Sequence, residues 1–380
     1  MRIAGHAGDD APGRAYGTTP PDAGEKTVDP RGIASWAFSS CVGCWLKEWL
    51  VLNPGRLNLH YELLANRPLH YRQKLTTAFI THPDCLRHEM GADHPESPDR
   101  LRVIQDQLIA AGVYDWLQVY DAPLANREQL ARAHAADYIR RIEALAPADG
   151  LVALDPDTAM NPHSWTAARR AAGAAVLAVD LVMTGAVENA FCSIRPPGHH
   201  AGHDRAMGFC IFNNIAVGAA HALAAHGVQR LAIADFDVHH GNGTEQIFRD
   251  NPAVLLCSTF QHPFYPFQGA DSDNARCINA PLPAYSGSEV FRAAVRDRWL
   301  PALARFRPQL VLISAGFDAH REDDMAMLML EDDDYVWVTE QIKEVAATFA
   351  EHRIVSVLEG GYHLDALGRC VVAHIKTLAC

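Results

Sequence analysis

The 380-residue chain sets 33 Lys and Arg against 45 Asp and Glu, and its net charge of −12 leaves no basic footprint for nucleic acid. Hydrophobic residues make up 49% of it, enough for a packed core, yet no apolar run reaches the ~18 residues of a membrane span and no basic segment precedes an apolar one at the start. The nine cysteines are odd in number and scattered, which argues against a disulfide framework; we expect a reduced, cytoplasmic protein with no membrane partner.

In chain order, residues 1–33 are rich in Gly, Pro, Asp and Ala with no apolar period, and disorder is expected there. Residues 36–64 cluster aromatic and leucine side chains that suit one helix. Cys41-Val42-Gly43-Cys44 has no second pair and reads as chance spacing. We read residues 1–75 as an N-terminal extension without a catalytic motif and residues 76–380 as the working domain. From Thr77-Ala78-Phe79-Ile80 a regular rhythm begins. The spacing predicts helices over 97–111, 127–144 and 164–183, a strand at Phe191, a helix over 214–225, a strand at Leu231 and a short helix over 244–249. A strand over 254–258, a helix over 288–306, a strand at Val311, a helix over 333–351, a strand at Val355 and a last helix follow. Strands alternating with long helices predict an α/β fold: a single-domain, open, mostly parallel sheet with helices on both faces. Ligands of such sheets bind outside the carboxyl ends of the strands.

Four clusters of reactive side chains fall at those ends. Asp235, Asp237 and His239 follow the apolar run Leu231-Ala232-Ile233-Ala234, and alternation along an extended segment turns all three to one face. An isolated Asp-x-His usually reads as a strand end entering a Gly-rich loop, but this one has company. In Arg195-Pro196-Pro197-Gly198-His199-His200 a rigid bend holds two adjacent imidazoles, the pattern of a paired base and acid. The apolar strand Leu310-Val311-Leu312-Ile313 delivers Asp318, and Val355-Ser356-Val357-Leu358 leads to Glu359-Gly360-Gly361-Tyr362, where two glycines permit close backbone approach before a phenol.

With these motifs, together with Gly208-Phe209-Cys210-Ile211-Phe212-Asn213-Asn214 and His94-Pro95-Glu96-Ser97-Pro98-Asp99-Arg100, the chain resembles the zinc-dependent histone deacetylase superfamily, which has an arginase-like fold and includes acetylpolyamine amidohydrolases. The resemblance implies hydrolysis of an acyl amide, with one zinc ion per subunit held by Asp237, His239 and Asp318 and a fourth position left open, as catalytic rather than structural zinc requires. It implies His200 as general base, His199 as its assistant in protonating the leaving amine, and Tyr362 as donor to the oxyanion. Asp235 then faces His199. Asn242 stands where many relatives have an aspartate against the second histidine, so His200 should stay neutral to lower pH. Asp235 and Ser258, with the backbone carbonyls of Asp237 and His239, resemble the family's structural potassium site. The implied substrate channel contains Gly208, Phe209, Tyr265 and Gly361. Phe264 reads as core, and Asp155 and Asp157 read as solvated loop acids. The implied partner is an acylated lysine peptide or an acylated small amine. Acetylpolyamine deacetylation, an arginase-like binuclear manganese centre and a catalytically silent acyl-lysine binding module are the competing readings.

Overall fold

A computed structural model describes residues 77–380, so the expectations for residues 1–75, including the helix over 36–64 and the CxxC, lie outside the described residues. The strand β1 (Thr77–Thr81) leads to α1 (Asp99–Ala110), β2 (Gln118–Asp121), α2 (Arg127–Ala131), α3 (Ala136–Leu145) and a short antiparallel pair, β3 (Val152–Ala153) and β4 (Ala159–Met160). There follow α4 (Ser164–Met183), β5 (Asn189–Cys192), α5 (Asn214–His226), β6 (Leu231–Asp235), α6 (Asn242–Phe248), β7 (Val254–Gln261) and β8 (Cys277–Leu282). The chain continues through α7 (Ser288–Ala294), α8 (Leu300–Phe306), β9 (Leu310–Ala315), α9 (Asp332–Phe349), β10 (Ile354–Leu358) and α10 (Leu364–Ala379).

Eight strands form one sheet in the order β2-β1-β5-β10-β9-β6-β7-β8, and every pairing in it is parallel. Every residue of β5, β6, β9 and β10 is buried, which is why these strands read as continuous apolar runs rather than alternating ones. No described helix is long and apolar enough to cross a membrane.

The structure departs from expectation at several places. The edge strands β2 and β8 and the short pair β3–β4 were not anticipated. Gln118-Val119-Tyr120-Asp121 is short and largely exposed, and Cys277–Leu282 carries Pro281, which an edge tolerates but a central ladder does not. The helix expected over 127–144 is two helices, because Ala135 takes extended backbone and donates its N–H to His203 O across the fold at 2.9 Å instead of to the preceding turn. The helix expected over 288–306 contains a π-turn at Val295–Trp299, just before Pro301, whose ring blocks the regular ladder.

The chain order creates the crevice. After β5 the chain jumps to β6, and β9 and β10 later fill the gap between them, so four consecutive central strands, β5, β10, β9 and β6, all end on one side. The registers Cys192↔Val357, Val357↔Ser314 and Ser314↔Asp235 bring those ends level.

Candidate active site

Each of the four central strands contributes one of the clusters. Beyond β6, Asp237 and His239 meet Asp318 from beyond β9: His239 Nδ1 lies 3.1 Å from Asp237 Oδ1 and 3.3 Å from Asp318 Oδ2. All three are buried, and their donor atoms lie within 4.8 Å of one another. The outer oxygens are held from behind, since Val238 N donates to Asp318 Oδ1 at 2.9 Å and Gly360 N to Asp237 Oδ2 at 2.8 Å. Asp318 Oδ2 is buried with no hydrogen-bond partner. A Cβ at Gly360 would fall 1.9 Å from Asp318 Oδ2, and one at Gly316 would fall 2.1 Å from Asp237 Oδ2, so only glycine fits beneath the carboxylates. Burial and the neighbouring Asp237 carboxylate push Asp318 upward. Two buried acids and one imidazole, one acid oxygen unpartnered, fit a divalent cation with an open coordination position.

Beyond β5, His199 and His200 stand with ring centroids 4.1 Å apart in opposite electrostatic settings. Nδ1 of His199 lies 3.1 Å from Asp235 Oδ2 and Nε2 lies 3.7 Å from Asp237 Oδ1. Burial lowers its affinity for a proton, but the Asp237 and Asp235 carboxylates outweigh that and hold it well above the usual histidine value. His200 is held well below that value by burial and by the charges of His199 and His239. Its Nδ1 lies 2.8 Å from Asn242 Oδ1, and Asn242 Nδ2 donates to Met207 Sδ at 3.3 Å, which turns the amide oxygen toward the ring. His200 Nδ1 therefore carries the proton and Nε2 is the free nitrogen.

The cavity in front of these groups measures about 190 Å³ and is lined by Asp157, His200, Gly208, Phe209, His239, Phe264, Tyr265, Met325 and Tyr362. Met207 and Cys210 bond each other's backbones across a two-residue turn, with φ +57° at Gly208 and 67° at Phe209. Positive φ at both central positions is the hairpin geometry that matches strand twist. Asp157 Oδ1 accepts from Gly208 N and Thr158 Oγ1 from Phe209 N, each at 3.0 Å, pinning the turn so that Phe209 meets Tyr362 edge to face at 5.9 Å. Tyr265 stands edge-on to His200 at 5.3 Å.

The expected channel residues Gly208, Phe209 and Tyr265 line this cavity; Gly361 does not. Its backbone turns inward, its carbonyl accepting from Arg100 Nε at 2.6 Å, and a Cβ there would meet Leu367. Phe264, expected in the core, instead stacks near His239 at 5.7 Å on the cavity wall. Asp157, expected to be a solvated loop acid, clamps the turn. Ser258 pairs in register with Asp235, and its Oγ is buried without a partner.

Sequence reasoning also missed the frame behind the site. Glu96 is fully buried between Arg100, at 3.0 Å, and Arg195, whose Nη2 donates to Glu96 Oε2 at 2.8 Å. Arg100 donates as well to Glu359 O at 2.5 Å, and Glu359 Oε2 accepts from Gly198 N at 2.6 Å and His199 N at 3.0 Å. Asp323 Oδ2 accepts from Tyr362 N at 2.6 Å and His363 N at 2.9 Å. The only available signal was a charged residue beside each motif; the partners lie up to 261 positions apart.

The profile of the histone deacetylase domain matches residues 94–378. The chain is 38% identical over 327 residues to the histone deacetylase-like amidohydrolase of Pseudomonas aeruginosa, across 80% of this chain and 86% of that protein. It is 36% identical over 323 residues to the polyamine deacetylase HDAC10 of Mus musculus, across 80% of this chain and 48% of that protein. The crystal structure of the HDA15 HD domain matches with a TM-score of 0.77 at 35% identity, covering 80% of this chain and 88% of that one. The chain therefore belongs to the histone deacetylase domain family and is a hydrolytic deacetylase of that family.

Proposed function

We propose that this deacetylase is zinc-dependent and removes acetyl or other acyl groups from lysine side chains or related amines. The observation that carries the reading is the convergence of Asp237 and Asp318 on His239, which lines one aromatic-walled cavity together with His200 and Tyr362. A zinc ion held by Asp237, His239 and Asp318 would polarise the acyl carbonyl and lower the pKa of water there.

The chain's own groups then divide the proton work. His200, neutral with Nε2 free, takes the proton from the attacking water, and Asn242 keeps Nδ1–H in place without adding charge. His199, oriented by Asp235 Oδ2 at its Nδ1, assists in protonating the leaving amine nitrogen. Burial holds the Tyr362 phenol well above its usual value, so its hydroxyl remains a donor to the developing oxyanion. Phe209, Phe264 and Tyr265 exclude water and hold an aliphatic arm. In this reading Asp235 and Ser258, with the backbone carbonyls of Asp237 and His239, would hold a structural potassium ion, and the unpartnered Ser258 Oγ supports it.

An arginase-like two-metal centre would need bridging acids beyond the three donors in this group, and a silent binding module would not need the base and phenol. Acetylated polyamines remain the second substrate reading, favoured by the half-buried Asp157 carboxylate on the cavity wall, which suits an alkylammonium. Acetate release from an acetyl-lysine peptide and from acetylated polyamines, with and without chelator, tests the proposal. Release abolished by chelator and restored by zinc is expected. Release that persists in chelator, or none from any substrate of the panel, would overturn it.

A further inference from the structure

Two other groups among the described residues place three metal-type donors within reach of one another, and they differ in kind. In His320, Asp332 and Cys370 the Asp332 Oδ2 already accepts from Arg369 Nε at 3.1 Å, so a guanidinium holds the place of a cation. In Asp180, His221 and His226 the three converging donor atoms carry no guanidinium; Arg132 touches only the far nitrogen of His221, Nδ1. His221 Nε2 and His226 Nε2 both lie 2.7 Å from the same oxygen, Asp180 Oδ1, and the two imidazole centroids are 5.6 Å apart.

We propose that Asp180, His221 and His226 form a second divalent-metal site, separate from the candidate active site, for zinc or another late first-row ion. Imidazole suits this class of ion, and two imidazoles with one carboxylate and an open position form a three-ligand zinc set. The fold supplies a second reason. Asp180 lies in the last turn of α4, its carbonyl accepting from Thr184 N at 3.0 Å, and His226 is the last residue of α5, closed by Gly227 at φ 64°. Two helix C-termini therefore meet at the same three side chains, and each places roughly half a negative charge there. The site is reachable from solvent, because the Asp180 side chain is 45% exposed. The opposite end of α5 begins beside His199, where Asn213 Nδ2 reaches His199 O, and His221 and His226 lie roughly 12 and 20 Å further along the helix, which keeps the two centres apart.

The proton balance is simple. Without metal, each Nε2–H donates to Asp180 Oδ1; with metal on Nε2, each neutral ring carries its proton on Nδ1, and no net proton is released. Tetrahedral ligands about 2.0–2.1 Å from zinc sit roughly 3.3 Å apart, so both rings retreat slightly from their present 2.7 Å. One group opposes binding. Arg132 Nη1 donates to His221 Nδ1, and that nitrogen would become a donor. Arg132 must turn away, and Glu128 Oε1 waits 3.6 Å from its Nη2. The ion thus replaces an arginine contact and ties α4 to α5.

The test uses the full chain, without an affinity tag and with its catalytic metal in place, dialysed against free zinc, with zinc per chain counted by mass spectrometry. Asp180→Ala and His226→Ala should each carry one zinc fewer than the parent while releasing acetate at the parent rate. The free zinc needed to fill the site should rise at least about tenfold, the loss seen when even an outer partner of a metal site is removed. Arg132→Ala should bind more tightly. Excess zinc should raise the thermal transition of the parent and leave that of Asp180→Ala unchanged. Equal zinc counts in parent and both variants would overturn the proposal, as would an equal thermal response to zinc.

Discussion

Gly208→Ala tests whether the position of His200, rather than its mere presence, supports turnover. Gly208 has φ +57°, and a Cβ there would lie 2.4 Å from His200 Cδ2, 2.8 Å from Cγ and 3.0 Å from Cβ, where ordinary contact begins at 3.4 Å. The imidazole must therefore retreat by about 1 Å, enough to cost on the order of a hundredfold in rate when the displaced group is catalytic. It also strains the 2.8 Å bond to Asn242. The left-handed backbone adds roughly 1–2 kcal/mol of strain for alanine, which lowers stability without touching chemistry. Gly112→Ala separates the two effects, because Gly112 has φ +66° and nothing within 4 Å of its added Cβ. Both variants should lose stability in denaturant titration, Gly208→Ala more because its Cβ also displaces His200. Only Gly208→Ala should lose kcat, about a hundredfold, with its metal content unchanged, since no Asp237, His239 or Asp318 atom is among the nearest contacts of that Cβ. Parent-like kcat in Gly208→Ala, or an equal loss in Gly112→Ala, would refute the reasoning.

Tyr362→Phe keeps the ring against Phe209 but removes the oxyanion donor, so kcat should fall about a hundredfold or more with a far smaller change in KM and full zinc content. Asp237→Ala, His239→Ala and Asp318→Ala should each lose zinc and activity together, as metal analysis beside acetate release will report. A chain lacking residues 1–75 should fold and retain most activity, checked by circular dichroism and turnover. Glu96 is penalised by burial, yet Arg195 and Arg100 hold it down from 4.5 to about 2. A depressed folded value means that its contribution, about 3 kcal/mol, is complete above pH 4.5 and lost as pH falls toward 2, so Glu96→Gln should be destabilised at neutral pH and show a flatter acid-unfolding profile.

What could be read from residues alone is what short-range periodicity encodes. The central strands were visible as unbroken apolar runs, but the alternation expected to turn Asp235, Asp237 and His239 to one face stops with β6 at Asp235: Asp237 and His239 lie in the bend beyond it, where Asp237 N donates to Asp235 Oδ1 at 3.2 Å and His239 N to Asp237 Oδ1 at 2.9 Å. A loop acid gives no such signal. Asp157 differs from any solvated aspartate only through Gly208 N, 51 positions away. Phe264 shows the same limit from the apolar side, since hydrophobicity cannot separate a residue packed in the core from one facing a cavity. The split at Ala135 depends on an acceptor, His203 O, that local propensity does not contain.

The buried ionic frame explains how four separate loops hold one geometry. Glu359 O and Gly361 O lie at the end of a central strand, where no neighbouring strand continues to pair them, and a buried carbonyl without a donor is costly. An apolar side chain in place of Arg100 would fill the space but leave both carbonyls unpaired. The guanidinium reaches both with Nε and Nη2 and still has Nη1 for Glu96. Glu96 in turn holds Arg195, the first residue of the bend that carries His199 and His200. Removing one member of such a buried set leaves a charge uncompensated, at about 3–5 kcal/mol, whereas a surface pair is worth ~1 kcal/mol or less. The loop bearing the base and the loop bearing the phenol are therefore fixed to each other through Glu96 and Arg100 on one side and through Glu359 with Gly198 and His199 on the other. That double tie can keep His200 and Tyr362 aimed into one cavity although they are 162 positions apart in the chain.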